Sequence, residues 1–179
     1  LIGDPTLPTR EFERGGFFTR FSYDKLDSLF FPRRGQQFEF EWRTERDYIG
    51  ADQDFDTFRT SWLVARSLDR HTLLFWLDLG TTEGSLTTPE NLIFPLGGFL
   101  NLSGLPPGFL AGPHFGIGRF IYYRQIGRGG SGILDLPAYA GLSIEAGNTW
   151  FDRHDASFGD LQKNGSLFFG VDTPLGPVY

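Results

Sequence analysis

Cysteine and methionine are both missing from this chain of 179 residues. Without cysteine there is no disulfide framework and no thiolate-held metal. Without methionine a translation start is missing, so the chain is expected to be cut from something longer, one domain over residues 1–179 truncated at both ends. No apolar run approaches the roughly 18 residues of a transmembrane helix, and no segment has the build of a signal peptide. Cationic residues are outnumbered, 16 Lys and Arg against 22 Asp and Glu, for a net charge of −6. Nucleic acid is therefore excluded as a partner, since its phosphates call for a basic surface.

What the chain does have is aromatic: 20 Phe and 17% aromatics overall, with 24 Gly. Mean hydropathy is nevertheless −0.22. The segment Gln37-Phe38-Glu39-Phe40-Glu41-Trp42-Arg43-Thr44-Glu45 shows how both can hold. Large rings alternate with charges at a period of two, so a strand would be aromatic on one face and charged on the other. A lipid-facing barrel with a wet interior has this composition and this alternation.

The same period recurs along the chain. Phe17, Thr19, Phe21 and Tyr23 alternate with Phe18, Arg20, Ser22 and Asp24. Residues 25–35 read as a turn, 36–46 as a strand, 47–54 as a polar loop and 55–66 as a strand. Leu68-Asp69-Arg70 reads as a tight turn, followed by a strand with Leu73, Phe75, Leu77 and Leu79 on one face and Trp76 and Asp78 on the other. Residues 82–113 form a long insertion rich in Gly and Pro, which punctuate turns. His114 to Gln125 is a strand whose facing the sequence leaves open, because Arg119 and Arg124 differ in parity. A Gly-rich turn spans 126–137, a strand begins at Ala138, a polar loop spans 150–164, and Leu167, Phe169 and Val171 belong to a further strand. A turn at 173–177 leads into one more strand. About eight strands result, near the roughly 9–11 residues that cross a bilayer at a tilt. Hairpin connections throughout make the sheet an antiparallel meander. The fold class expected is all-β, an antiparallel up-and-down transmembrane β-barrel. Its long loops, at 47–54, 82–113 and 150–164, share one side, as the external loops of outer-membrane barrels do.

Three motifs carry a family resemblance. Leu26-Asp27-Ser28-Leu29-Phe30-Phe31-Pro32-Arg33-Arg34-Gly35 resembles the "LD…FP..G" turn of the barrel-assembly superfamily of outer-membrane proteins, the bacterial surface antigen family. Phe94-Pro95-Leu96-Gly97-Gly98-Phe99-Leu100-Asn101-Leu102-Ser103-Gly104 is similar to its "F.GG….VRG(F/Y)" segment, which in that family lies in a long external loop folded back into the lumen. Asp172-Thr173-Pro174-Leu175-Gly176-Pro177 is similar to its "(S/T)P(L/M)GP" turn. The resemblance implies that Gly97, Gly98, Leu102, Ser103 and Gly104 form the loop motif. At the family's Arg position stands Ser103, with Leu105 where an aromatic is usual. That Arg pins the loop to an acidic wall residue by a charge-assisted hydrogen bond. Ser cannot supply it, so loop docking is not carried over, and a role in assembly or secretion loses support. The pattern is most similar to the barrel of outer-membrane patatin-like phospholipases, which implies a sixteen-stranded barrel with this chain as its second half.

Catalytic and metal motifs are weak. Gly129-Gly130-Ser131-Gly132 has the wrong spacing for the Gly-x-Ser-x-Gly elbow of a patatin and reads as a turn. Asp52-x-Asp54-x-Asp56 starts like a calcium loop, but Thr57 stands where Gly is needed and Leu63 where Glu is needed. His71, His114 and His154 lack ligand spacing and read as surface or interface positions. Tyr23, Trp42, Trp62 and Tyr123 are expected near the membrane interfaces, where amphipathic rings are favoured. Arg20, Glu39, Glu41, Arg43, Asp78, Glu145 and Asp172 share the lumen-facing parity and are expected to form a hydrated, salt-bridged wall.

The function expected is that of an outer-membrane barrel anchoring or translocating an attached patatin-like phospholipase domain, with no catalysis, metal or cofactor in this segment. Its partners would be outer-membrane lipid and the covalently attached domain, with a homodimer left open. The alternatives are an assembly and insertion factor for other outer-membrane proteins, or, in another class, a soluble ligand-binding β-barrel.

Overall fold

Alternation at a period of two becomes one curled sheet. The structure, a computed structural model, describes residues 13–84, 93–127 and 136–179. Its strands are β1 (Gly16–Asp24), β2 (Gly35–Glu45), β3 (Phe55–Leu68), β4 (His71–Gly84), β5 (Phe94–Leu96), β6 (Leu110–Gly112), β7 (His114–Gln125), β8 (Ala138–Trp150), β9 (Gln162–Thr173) and β10 (Gly176–Val178). Eight of them form an antiparallel half-barrel in the order β1-β2-β3-β4-β7-β8-β9-β10, while β5 and β6 pair as a separate hairpin inside the β4–β7 connection. Residues 129–132 lie outside the described residues. The β3–β4 hairpin turns on Asp69 and Arg70, with Asp69 at φ 53°. Asp tolerates this left-handed conformation better than most residues.

Two boundaries differ most from the sequence reading. β4 continues to Gly84 into the expected insertion, and β9 begins at Gln162 within the expected polar loop. In both places the ladder carries polar residues that the alternation of apolar side chains does not reveal. For example, Glu145 pairs with Asn164 and Gly147 with Gln162.

The register sorts the side chains onto two faces. Arg20, Glu41 and Arg59 are successive cross-strand partners, as are Phe21, Phe40, Thr60, Leu79 and Gly116 on the opposite face. The first row faces the inside of the curl and the second the outside. β7 is now assigned: Arg119 faces inward opposite Glu145, and Arg124 lies on the outer face at the rim, paired with His71. Tyr123, expected near a membrane interface, is corrected to the inner face, where it is buried.

The core lies on the inner face in two clusters. At the end carrying the short turns, Phe31 from the β1–β2 turn packs among Leu63, Leu74, Ile121, Tyr123, Tyr139 and Phe168. Phe31 stacks on Tyr139 with ring centroids 4.2 Å apart, and the Tyr123 hydroxyl donates to the Pro32 carbonyl. The segment that reads as a simple turn is therefore a plug under this end of the sheet. At the other end, Leu96 and Leu102 of the long loop pack on Phe115 and Ile117. The outer face has no such cover: Phe120 is 60% and Leu167 85% exposed.

Candidate functional site

The long loop is laid against the inner wall by two polar anchors. At the first, the Ser103 backbone N–H donates to Glu145 Oε2 at 2.7 Å and its hydroxyl donates to Oε1 at 2.6 Å. Glu145 is fully buried, and the Ser143 hydroxyl also donates to its Oε1, at 2.6 Å. Ser143 Oγ lies 2.8 Å from Ser166 Oγ. Its one proton is committed to Glu145, so Ser166 must be the donor in that pair. A carboxylate so supplied with donors can be buried without the full desolvation penalty of a bare charge.

Arg119 forms the second anchor. Its Nη1 lies 2.5 Å from Asp78 Oδ2, and the two side chains are 5% and 6% exposed. Its Nε donates to the Leu100 carbonyl at 2.5 Å and its Nη2 to Asn101 Oδ1 at 3.0 Å. The guanidinium sits 4.4 Å above the Trp76 ring, whose Nε1 donates to Ser61. Only a planar fork of donors reaches a carboxylate, a carbonyl and an amide together while stacking on an aromatic ring.

The loop backbone is bent to meet these anchors. Leu100 and Leu102, both non-glycine, take φ of 55° and 70°. Such conformations cost about 1–3 kcal/mol each and persist where surrounding contacts hold them. Here the Leu100 N–H donates to Ser103 Oγ, its carbonyl accepts from Arg119, and Leu102 is fully buried. Glycine is required at 97, where φ is 124° and a Cβ would lie 2.0 Å from the Pro106 carbonyl oxygen. At 104 a Cβ would meet Asn164 Oδ1 at 2.1 Å, so the loop runs close against β9. The loop residues Gly97, Gly98, Leu102, Ser103 and Gly104 thus sit together on the wall. Ser103, expected to leave the loop without a pin, holds it through a main-chain donor and a hydroxyl. The arginine of the dock stands on the wall instead of on the loop.

All seven of the wall residues singled out from the sequence lie on the inner face, but in separate places. Arg20 donates through Nε to Glu41 at 3.0 Å, Arg43 lies 3.7 Å from Glu41, and Gln37 donates to Glu39 at 3.3 Å. This group is open to solvent. Asp78 and Glu145 are buried beneath the loop, and the expectation of a wholly hydrated wall is corrected for these two. Asp172 is apart from both, its N–H bonded to the Pro137 carbonyl. A 300 Å³ cavity separates the open group from the dock, lined by Arg20, Glu39, Glu41, Arg59, Trp76 and Asp78 among others.

Sequence reasoning missed the role of Arg119 and the contributions of Asn101, Ser143 and Ser166. Only the Arg119 parity was visible, and it conflicted with that of Arg124. The three acidic residues of the Asp52-x-Asp54-x-Asp56 segment are each occupied by protein donors. Asp52 accepts from the Glu13 N–H, Asp54 from the Asp47 N–H, and Asp56 from Arg46 at 2.7 Å. The hydrogen bond to Asp56 holds the Arg46 pKa above its ordinary value. Among the described residues no three His, Asp or Glu side chains gather as metal ligands. His71 Nδ1 lies 2.6 Å from the Tyr122 hydroxyl and His114 Nδ1 2.6 Å from the Thr81 hydroxyl.

No family model matches the chain, and no curated protein matches it in sequence.

Proposed function

We propose that this chain is part of the wall of a bacterial outer-membrane β-barrel of the surface antigen type, which anchors or translocates a covalently attached domain. On the resemblance, that domain is a patatin-like phospholipase. The observation that carries the reading is the charge pattern of the outer face. Across its middle no Asp, Glu, Lys or Arg occurs in the described strands; Asp56, Glu83 and Lys163 stand at the loop end and Arg66 and Arg124 at the turn end. On the outer face of β3 the stretch between Asp56 and Arg66 carries no charge. Ten residues at about 3.4 Å each, tilted by about 40°, span roughly 25 Å, the height of the apolar band of an outer-membrane barrel. A soluble barrel would bury its aromatic face, whereas here the exposed face is the aromatic one. A second reading, an assembly factor for other outer-membrane proteins, gains from the docked loop, whose expected loss had weighed against it.

The absence of native cysteine makes the test clean. Single cysteines replace Phe120, Ile144 and Leu167 on the outer face and Glu39 and Arg59 on the inner face, in cells. The outer set is expected to resist a water-soluble maleimide and to react with a lipid-soluble one, and the inner set to react with the water-soluble reagent. Equal labelling of all five by the water-soluble reagent overturns the membrane reading.

A further inference from the structure

Four arginines gather around the β3–β4 turn, at the short-turn end of the sheet. Arg66 stands near the end of β3 and Arg124 near that of β7, both on the outer face. Arg70 lies in the turn itself, and its carbonyl accepts from the Gln125 N–H at 2.9 Å, which ties the turn to β7. Arg33 reaches the turn from the plug, its Nη2 donating to the Asp69 carbonyl. Against these cations residues 66–71 offer one carboxylate, that of Asp69. Among the described residues neither Asp69 nor any of the four arginines forms an ion pair. Arg66 Nη1 donates to the Ala65 and Gly35 carbonyls at 2.9 and 3.3 Å, and Arg33 Nε is buried with no acceptor among the described residues. Each guanidinium carries five N–H donors, so this corner has many more donors than acceptors.

The same corner is where the apolar outer face begins. Leu68 and Leu73 stand beside Arg66 and Arg124 on the ladder, Phe120 stands above them, and all three are exposed. A ligand that answers both features has an acceptor-rich anionic head and an apolar tail. We propose that the corner holds the headgroup of an anionic phospholipid among Arg66, Arg70 and Arg124, with its acyl chains over Leu73 and Phe120. The proposal rests on the reading of the outer face as lipid-facing. Arg66 and Arg124 are two strands and two residues apart, about 12 Å between Cα atoms by ladder spacing, so two extended side chains can flank one headgroup. Their planar donor forks suit phosphate oxygens. A free phosphate would leave the apolar neighbours uncovered. A zwitterionic lipid would bring the same phosphate, but its ammonium would sit among cations with Asp69 alone to offset them. The opposite rim of the outer face mixes signs, Asp56 and Glu83 with Lys163, and has no such cationic excess.

The test uses the whole protein as the cell makes it, extracted in detergent and reconstituted into vesicles of phosphatidylcholine, which has no net charge. Phosphatidylglycerol or phosphatidylcholine brominated in the acyl chains is included and quenches tryptophan on contact. Trp62 is exposed on the outer face of β3, the same strand and face as Arg66, and its emission is the difference between the native protein and W62F. Phosphatidylglycerol is expected to associate at Trp62 roughly fivefold more strongly than phosphatidylcholine, the contribution of one arginine beside anionic lipid. Arg66→Gln combined with Arg124→Gln should bring that ratio to one, and Lys163→Gln at the opposite rim should leave it unchanged. Salt at about 0.5 M, which alters no residue, should lower the ratio in the native protein. Millimolar inorganic phosphate at matched ionic strength should not, because it has no tail. A ratio of one in the native protein, with Trp62 quenched by both lipids, overturns the site and leaves the barrel reading standing. So does a ratio that survives the double substitution or the salt, or one that inorganic phosphate removes. Absence of quenching at Trp62 by either lipid overturns both.

Discussion

Ser103 on the long loop and Glu145 on β8 are joined twice, main-chain N–H to Oε2 and hydroxyl to Oε1, at 2.7 and 2.6 Å. A two-point contact fixes both the position and the orientation of the loop at Ser103. The neighbouring left-handed residues Leu100 and Leu102 cannot relax without breaking it. The dock thus holds a strained loop conformation against the wall, with Arg119 gripping the same turn from β7.

Glu145→Ala is expected to release the loop. Three donors, the Ser103 N–H and two serine hydroxyls, would lose their acceptor at a fully buried position. Each buried unsatisfied donor costs about 1–3 kcal/mol. Ser103→Ala keeps the main-chain contact and should cost only about 1 kcal/mol. Limited proteolysis of the folded protein reads the difference: cleavage within 97–105 should be fast in Glu145→Ala and near native in Ser103→Ala. Equal rates in the two variants would contradict the two-point dock.

Removing one member of the Arg119–Asp78 pair should be worse than removing both. Arg119→Leu leaves a buried carboxylate alone, at about 3–5 kcal/mol. The double variant with Asp78→Leu should recover part of that loss, since paired apolar replacements of buried ions are often close to neutral. Arg119→Lys should also be impaired, because an ammonium cannot reach Asp78, the Leu100 carbonyl and Asn101 at once. Denaturant midpoints of the native protein, Arg119→Leu, Asp78→Leu and the double variant form the double-mutant cycle, with Arg119→Lys measured beside them.

At the opposite end, Phe31→Ala empties a fully packed site between Tyr123 and Tyr139 and is expected to cost about 3–5 kcal/mol. Tyr123→Phe removes only the donor to the Pro32 carbonyl, about 1 kcal/mol. Gly170→Ala should fall between the two, at about 1–3 kcal/mol, because the new Cβ would lie 2.5 Å from the packed Phe31 ring. Thermal unfolding in detergent orders the three.

A charge placed in the outer band should hinder membrane insertion according to its depth. Phe120→Arg is expected to cost about 2–4 kcal/mol and a rim substitution such as Thr81→Arg about 0–1 kcal/mol. The heat-modifiable band on a gel, which separates folded from unfolded barrel, measures the yield. Identical yields would argue against lipid on this face.

Among the described residues no strand pairs with the outer edge of β1 or of β10, and β1 is exposed on both faces along its whole length. Unpaired ladder groups on an apolar edge recruit further strands. Removal of detergent from these 179 residues alone is expected to give aggregates. A cooperatively unfolding monomer in plain buffer, seen by analytical ultracentrifugation, would refute this.

Much of this fold is legible without coordinates. The bounds of β7 and the Asp69-Arg70 turn are visible, as are the faces of β1 to β4, because a strand repeats every two residues and the large rings keep to one parity. Tyr122 and Tyr123 defeat that logic. They are adjacent rings on opposite faces, and only the partner strands show that Tyr123 points at Phe31. Arg124 looked like a rival to Arg119 because parity says nothing of height along a strand, and a charge at the rim is compatible with either face. The dock was least visible of all. Half of the Ser103 contact is a peptide N–H, which every residue except proline carries.

The sequence alone determined the antiparallel meander, the aromatic outer face and the charged inner one, since all three follow from local periodicity and turn chemistry. The tertiary structure alone decided which inner charges are buried, how the loop is held and which turn plugs the sheet. Those outcomes depend on groups far apart in the chain meeting at hydrogen-bond distance. Ser103 and Glu145, 42 positions apart, meet only because β7 and β8 pair and the loop folds back over them.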